Sequence, residues 1–192
     1  MHTTLPKTAP APLTLLYSRT EIAERIAALA RQIDRDFAGR EILLVGILKG
    51  SFLFIADLVR ALQTPTQVDF VRIASYGSET RSSGIVEIRK DLEMPIRGRH
   101  VLIVEDIVDS GYTLEALCNQ LLLRNPASLR VCTLVDKSAE RATEVVVDYV
   151  GFALEKGFIV GYGLDHDEYY RGLPDIYLVG ETSSSSQMGD HR

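Results

Sequence analysis

Apolar residues at 22, 26, 29, 33 and 37 recur three and four positions apart, which predicts a helix that Gly39 ends. Ser18 and Glu21, just ahead of that stripe, have the spacing of a capping box. Residues 41–48, EILLVGIL, form a short and almost wholly apolar run that reads as a strand buried on both faces. Phe52, Ile55, Leu58, Val59 and Leu62 return to helical spacing over 51–62, with Pro65 beyond the end. Residues 67–75 alternate as a strand, and 100–107 make a second buried strand. Residues 114–124 are helical up to Asn125-Pro126, because the residue before proline is pushed out of the helical region. Further strands are expected at 128–137, 147–154 and 176–179. Buried strands alternating with helices mean an α/β domain whose central sheet is mainly parallel and flanked by helices.

The two ends break this pattern. Residues 1–12 are rich in Pro, Thr and Ala, and 181–192 hold four consecutive serines, so both read as flexible tails around a single domain at 13–180. No internal repeat is present. A chain of 192 residues is long enough to bury one sizeable core.

Charge narrows the partners. Lys plus Arg total 21 against 26 for Asp plus Glu, a net charge of -5. Counterion release on nucleic acid, or attraction to anionic lipid, needs a dominant basic surface, so neither a nucleic-acid nor a membrane partner is expected, although local basic patches stay open. No apolar run is long enough for a transmembrane helix, and the first residues have no apolar signal-peptide core. Cys118 and Cys132 stand alone, without a CxxC spacing or a nearby histidine, and are expected to be buried thiols of a cytoplasmic protein.

In open α/β sheets ligands bind beyond the carboxyl ends of the strands, so the residues after each strand carry the functional signal. The strongest is VLIVEDIVDSGYTL, 101–114. A buried strand ends in Glu105 and Asp106, and Asp109 then opens the loop Ser110-Gly111-Tyr112-Thr113 ahead of a helix. Glycine between hydroxyl residues at a helix start suits phosphate, since backbone N–H groups and hydroxyls can donate to it at the positive end of the helix dipole. The adjacent acids suit the vicinal hydroxyls of a sugar. Together they describe a seat for ribose 5-phosphate, whereas each residue taken singly is an ordinary solvated acid or cap. Other phosphate motifs fail: GILKGS at 46–51 lacks P-loop spacing, and Gly161 and Gly163 lack the third glycine of a dinucleotide fingerprint.

The segment VEDIVDSGYTL resembles the phosphoribosyl-pyrophosphate (PRPP) signature of the type I phosphoribosyltransferase family. LKGS at 48–51, LVDK at 134–137 and KGFIVGYGLDHDEYYRGLP at 156–174 are similar to its hypoxanthine-guanine branch. The likeness spans about 15–179. It implies that fold, with a small hood formed near the chain ends, and transfer of 5-phosphoribosyl from PRPP to N9 of hypoxanthine or guanine. The products would be IMP or GMP and pyrophosphate, with Mg2+ as cofactor.

The same resemblance assigns roles. Glu105 and Asp106 would hold the ribose hydroxyls and, with Asp165, the metal. Asp109 would be the general base near N7, and Asp109, Ser110, Gly111, Tyr112 and Thr113 would cradle the 5'-phosphate. Several relatives have Lys where Tyr112 stands, so the backbone N–H is expected to serve there. Leu48, Lys49 and Gly50, with a cis peptide between the first two, and Arg171 would bind pyrophosphate. Lys137, Phe158, Ile159 and Asp165 would receive the purine, Lys137 by donating to O6 and Phe158 by stacking. Ser75 and Tyr76 would open a flap over the site. Family members are homodimers or homotetramers. By composition alone, Lys49 and Arg171 are equally ordinary solvated cations and Phe158 an ordinary core residue. Two other readings stay open here: a nucleotide-binding regulator built on the same fold, and an enzyme choosing xanthine or uracil.

Overall fold

The computed structural model describes residues 12–75 and 86–180. Six strands form the central sheet in the order β4-β3-β2-β5-β6-β7. These are β2 (Ile42–Leu48), β3 (Thr66–Ser75), β4 (Val86–Lys90), β5 (His100–Val108), β6 (Ser128–Asp136) and β7 (Tyr149–Ala153). All neighbours are parallel except β3 and β4. A second, antiparallel sheet joins β1 (Leu13–Tyr17), β9 (Ile176–Val179) and β8 (Ile159–Val160), so that a small hood forms from the two ends of the described chain.

The capping box is present at the start of α1 (Arg19–Asp36): Ser18 Oγ accepts from the Glu21 amide at 3.3 Å, and Glu21 Oε2 accepts from the Ser18 amide at 2.8 Å. Helix α2 spans Phe52–Ala61 and α3 spans Tyr112–Leu122, two residues earlier than the apolar pattern predicts. Along β2 the side chains alternate between two cores. Ile42 and Leu44 join Ile22, Ile33, Phe54 and Leu58 from α1 and α2, while Leu43 and Val45 join Leu117 and Leu121 of α3. That double burial is the physical reason for the uninterrupted apolar run. It also fixes which end of the sheet is free: β2, β5 and β6 all release their loops on the same edge, where the predicted site residues lie.

Three strands carry no clear sequence signal. VEIRK, 86–90, is an edge strand of charged residues, and β8 has only two residues, too few for any period. β1 is marked only by its partner, Val179 opposite Leu13. Cys132 is buried, Cys118 is only partly so, and neither is in a disulfide. Among the described residues no helix is long and apolar enough to cross a membrane. The tails at 1–11 and 181–192, and Tyr76 of the expected flap, lie outside the described residues, whereas Ser75 ends β3.

One buried acid secures the edge of the sheet. Asp69 Oδ1 accepts from the Phe70 amide at 2.7 Å, and Oδ2 from the amides of Glu93 and Met94 at 2.8 and 2.9 Å. Burial pushes its carboxyl up, but those three amides and Lys90 outweigh it, and the pKa is lowered overall. A depressed folded pKa gives stability that is present at neutral pH and is lost as pH falls through the acid range below about 4. In Asp69→Asn an amide N–H replaces one acceptor oxygen and faces a backbone donor. The variant should lose about 1–3 kcal/mol at pH 7 in urea unfolding and show a flatter decline in acid. Equal stability of variant and parent at pH 7 would refute this account.

Candidate active site

The loop after β5 begins the site. Gly111 caps α3 with φ +87°, a left-handed conformation that favours glycine. A Cβ there would collide with Thr143 Oγ1 and reach Arg141 Cδ at 2.8 Å, so the 141–145 segment packs directly behind the loop. The Ala142 amide donates to Ser110 O at 2.9 Å and Arg141 Nε to Asp109 O at 3.3 Å, while Arg141 also pairs with Asp136 at the end of β6. The result is a braced turn around a cleft of ≈ 190 Å³, lined by Glu105, Asp109, Ser110, Gly111 and Thr113. The first amides of α3 have no intrahelical acceptor, and they meet the cleft at the positive end of the helix. The Tyr112 ring is 38% exposed, which leaves its backbone N–H as the group belonging to the loop. A larger hollow of ≈ 270 Å³ lies behind α3 at Cys118 and Val131, and none of the expected site residues lines it.

Glu105 and Asp106 leave water as β5 ends. Burial first, then the charge of Asp106, pushes the Glu105 carboxyl well above the usual range, and its Oε2 is buried without a partner. Asp106 is raised to about 6, chiefly by burial, with backbone amides and Arg171 opposing. Its carboxylate rests against Gly50 so closely that any Cβ at 50 would overlap it, and a Cβ at Gly163 would overlap Gly50 O. Two glycines therefore allow the β2 loop, the end of β5 and the hood to touch. The Leu48-Lys49 peptide is cis, as the resemblance implies.

Cations lie on the hood side. Lys49 Nζ pairs with Glu168 at 2.7 Å, and Arg171 pairs with Glu168 at 3.2 Å and with Asp165 at 2.7 Å. On the other side, buried Lys137 donates from Nζ to Asp109 Oδ2 at 3.2 Å and faces Glu140 at 3.5 Å. Phe158 is 48% exposed and meets His166 edge to face, 5.3 Å between centroids. Ile159 turns its side chain into the core, so its backbone is what remains for a ligand.

The structure thus joins Lys49 and Arg171 through a shared acid, pairs Asp109 with Lys137, and sets Glu105 in one cleft with the loop at 109–113. Glu168, Glu140 and Arg141 escape the sequence reading. Glu168 had a signal, an acid three residues before Arg171. Arg141 had none, since its partners are backbone carbonyls and Asp136.

Among the described residues no three acidic, histidine or cysteine side chains cluster as a closed metal cage. An open site for a divalent cation does fit. The buried, unpartnered Oε2 of Glu105 and the raised carboxyl of Asp106, which Arg171 only partly compensates, are hard oxygen donors suited to a cation. A cation that keeps most of its waters and takes one or two carboxylates plus substrate oxygens matches that donor set.

The chain is similar to known proteins of one family. A family model described as the phosphoribosyl transferase domain matches residues 14–167. A hypoxanthine-guanine phosphoribosyltransferase of Mycobacterium tuberculosis is 50% identical over 169 residues, covering 85% of this chain and 84% of that protein. A hypoxanthine phosphoribosyltransferase of Salmonella typhimurium is 49% identical over 167 residues, covering 86% and 94%. The crystal structure of a hypoxanthine-guanine phosphoribosyltransferase from Bacillus anthracis, with HEPES in its active site, superposes with a TM-score of 0.84. It is 43% identical and covers 87% of this chain and 98% of that one.

The acid pair sets a stability prediction. A carboxyl whose folded pKa is raised to about 6 binds its proton more tightly folded than unfolded. Its contribution is therefore full below about pH 4 and is lost as pH rises towards 6, leaving a net cost at neutrality. Asp106→Asn removes that ionisation and should stabilise the protein by ~1–3 kcal/mol at pH 7 in chelator-treated buffer, while leaving pH 4 stability nearly unchanged. A lower melting temperature at pH 7 would contradict the assignment.

Proposed function

The chain belongs to the phosphoribosyltransferase family, among its hypoxanthine-guanine members, and we propose that it performs their reaction with the residues assembled at the strand ends. It moves 5-phosphoribosyl from PRPP to N9 of hypoxanthine or guanine and releases pyrophosphate, giving IMP or GMP. The observation that carries the base assignment is the Asp109–Lys137 pair, a carboxylate and an ammonium 3.2 Å apart at the mouth of the cleft. A 6-oxopurine presents N7 and O6 side by side on one edge, with O6 an acceptor, whereas adenine offers an amino donor there. Lys137 can donate to O6 while Asp109 accepts from N7–H.

The bond from C1 of the ribose to pyrophosphate breaks, with its electron pair leaving on pyrophosphate, and N9 forms the new bond to C1. The proton on N7 passes to Asp109 as N9 attacks. Positive charge developing on the ribose is met by Glu105, Asp106 and Asp109, and the departing negative charge by Lys49 and Arg171. Glu105 and Asp106, with Asp165, would hold Mg2+, which when bound neutralises pyrophosphate charge. Ser110, Gly111, Tyr112 and Thr113 would take the 5'-phosphate on backbone amides and hydroxyls. Leu48 and Gly50 would present backbone to the pyrophosphate, while Phe158 would stack on the base and Ile159 would contact it through its backbone. Exclusion of water by a flap opening at Ser75 and Tyr76 rests on the resemblance.

Pyrophosphate release with separate bases tests the reading. Hypoxanthine or guanine should support release from PRPP, and adenine and uracil should not. Lys137→Gln should raise KM for hypoxanthine roughly 10- to 100-fold, the range for a charged hydrogen bond. Release with adenine, or an unchanged KM in the variant, would remove Lys137 from the base.

The general base has its own test. Asp109→Asn should lower kcat by about 10²- to 10⁴-fold while IMP still binds. Near-normal turnover would place the proton acceptor elsewhere.

A further inference from the structure

A single carboxylate spans the two cations assigned to pyrophosphate. Glu168 Oε1 accepts from Lys49 Nζ at 2.7 Å, and Oε2 accepts from an Arg171 Nη at 3.2 Å. Lys49 follows β2, whereas Glu168 and Arg171 come from the turn between β8 and β9, so the bridge links separate parts of the fold. Two oxygens on one centre joining an ammonium and a guanidinium is the arrangement a phosphoryl group would adopt there.

The turn is built to present this side chain. Asp167, Glu168 and Tyr170 have φ of 51°, 68° and 71°, left-handed values that cost a non-glycine residue and persist where neighbouring structure enforces them. Asp165 Oδ2 enforces one by accepting from the Glu168 amide at 2.9 Å. Arg171 has other anchors, Asp165 at 2.7 Å and Gly163 O at 2.8 Å, so its position does not depend on Glu168. The Glu168 and Lys49 side chains are 60% and 45% exposed, which makes their contact open to exchange with an incoming anion.

Resting on the pyrophosphate role of Lys49 and Arg171 given above, we propose that Glu168 is an internal counter-anion for the pyrophosphate subsite. It occupies the cations in the ligand-free enzyme, yields to the pyrophosphate group of PRPP, and returns as product pyrophosphate leaves. No covalent step is involved. The exchange weakens polyanion binding and eases release, in contrast to a purely structural ion pair, whose loss would only loosen the site.

The test compares full-length wild type with Glu168→Gln, by calorimetric titration of magnesium pyrophosphate and, separately, of IMP, which lacks a pyrophosphate group. Two exposed contacts worth a few tenths of a kcal/mol each imply that the pyrophosphate dissociation constant and the PRPP KM should fall by about 3- to 5-fold in the variant. IMP affinity should not change. Glu168→Asp, which keeps the charge, should return towards wild type. Glu168→Asn, better suited to left-handed backbone, replaces the Gln variant if that one is unstable. Pyrophosphate affinity that is unchanged or weaker without the carboxylate overturns the inference. Wild type that binds no pyrophosphate at all would instead overturn the subsite assignment beneath it.

Discussion

Everything in this site follows from bringing two carboxylates out of water at the end of a strand packed on both faces. β5 lies between β2 and β6 and is covered by helices on either side, so Glu105 and Asp106 arrive together where the sheet stops. Buried acids of like charge are costly unless a cation, a donor or a proton compensates. The raised carboxyls are the local record of that cost. A fold that minimised its own free energy would place apolar residues there. On the function proposed here, compensation of the acids would come with a polyol substrate and a divalent cation.

The same constraint explains the glycines. Asp106 has Gly50 against it and Gly50 has Gly163 against it, so three chain segments meet without side chains to separate them. The hood is drawn to the strand ends by backbone contact, and with it come Asp165, Glu168 and Arg171. Tyr162 adds a second tie, donating to Asp57 of α2. Two parts of the fold that are distant in sequence thereby share one site.

This division also decides what the amino-acid sequence reveals. The central sheet was legible because burial on both faces produces short, almost wholly apolar runs at 42–48 and 101–104, and because the α1 capping box is a local signal. The loop between β5 and α3 was legible because strand, acids, glycine and helix start are contiguous. β1 is held by Val179 and its neighbours at the far end of the domain, so nothing near residue 13 announces it. β4 is charged because it lies on an edge. Glu168 and Arg141 act across the fold, and their distant partners, Lys49 and the Asp109 carbonyl, can be named only once the chain is folded.

Charge in this enzyme is consequently a local matter. A chain of net charge -5 must bind a strongly anionic substrate, which long-range attraction does not favour. The structure sets cations around the strand ends and gives each an acidic partner: Lys137 with Asp109, Arg171 with Asp165 and Glu168, Lys49 with Glu168, Arg141 with Asp136. On the function proposed here, substrate binding would be an exchange of partners rather than the neutralisation of bare charge. Such an exchange costs little desolvation at the exposed pairs. It would select for ligands that place anionic oxygens, a 6-oxo acceptor and an N7 proton at the right cations and acids. Specificity on that reading resides in the geometry of the pairs and not in the overall sign of the protein.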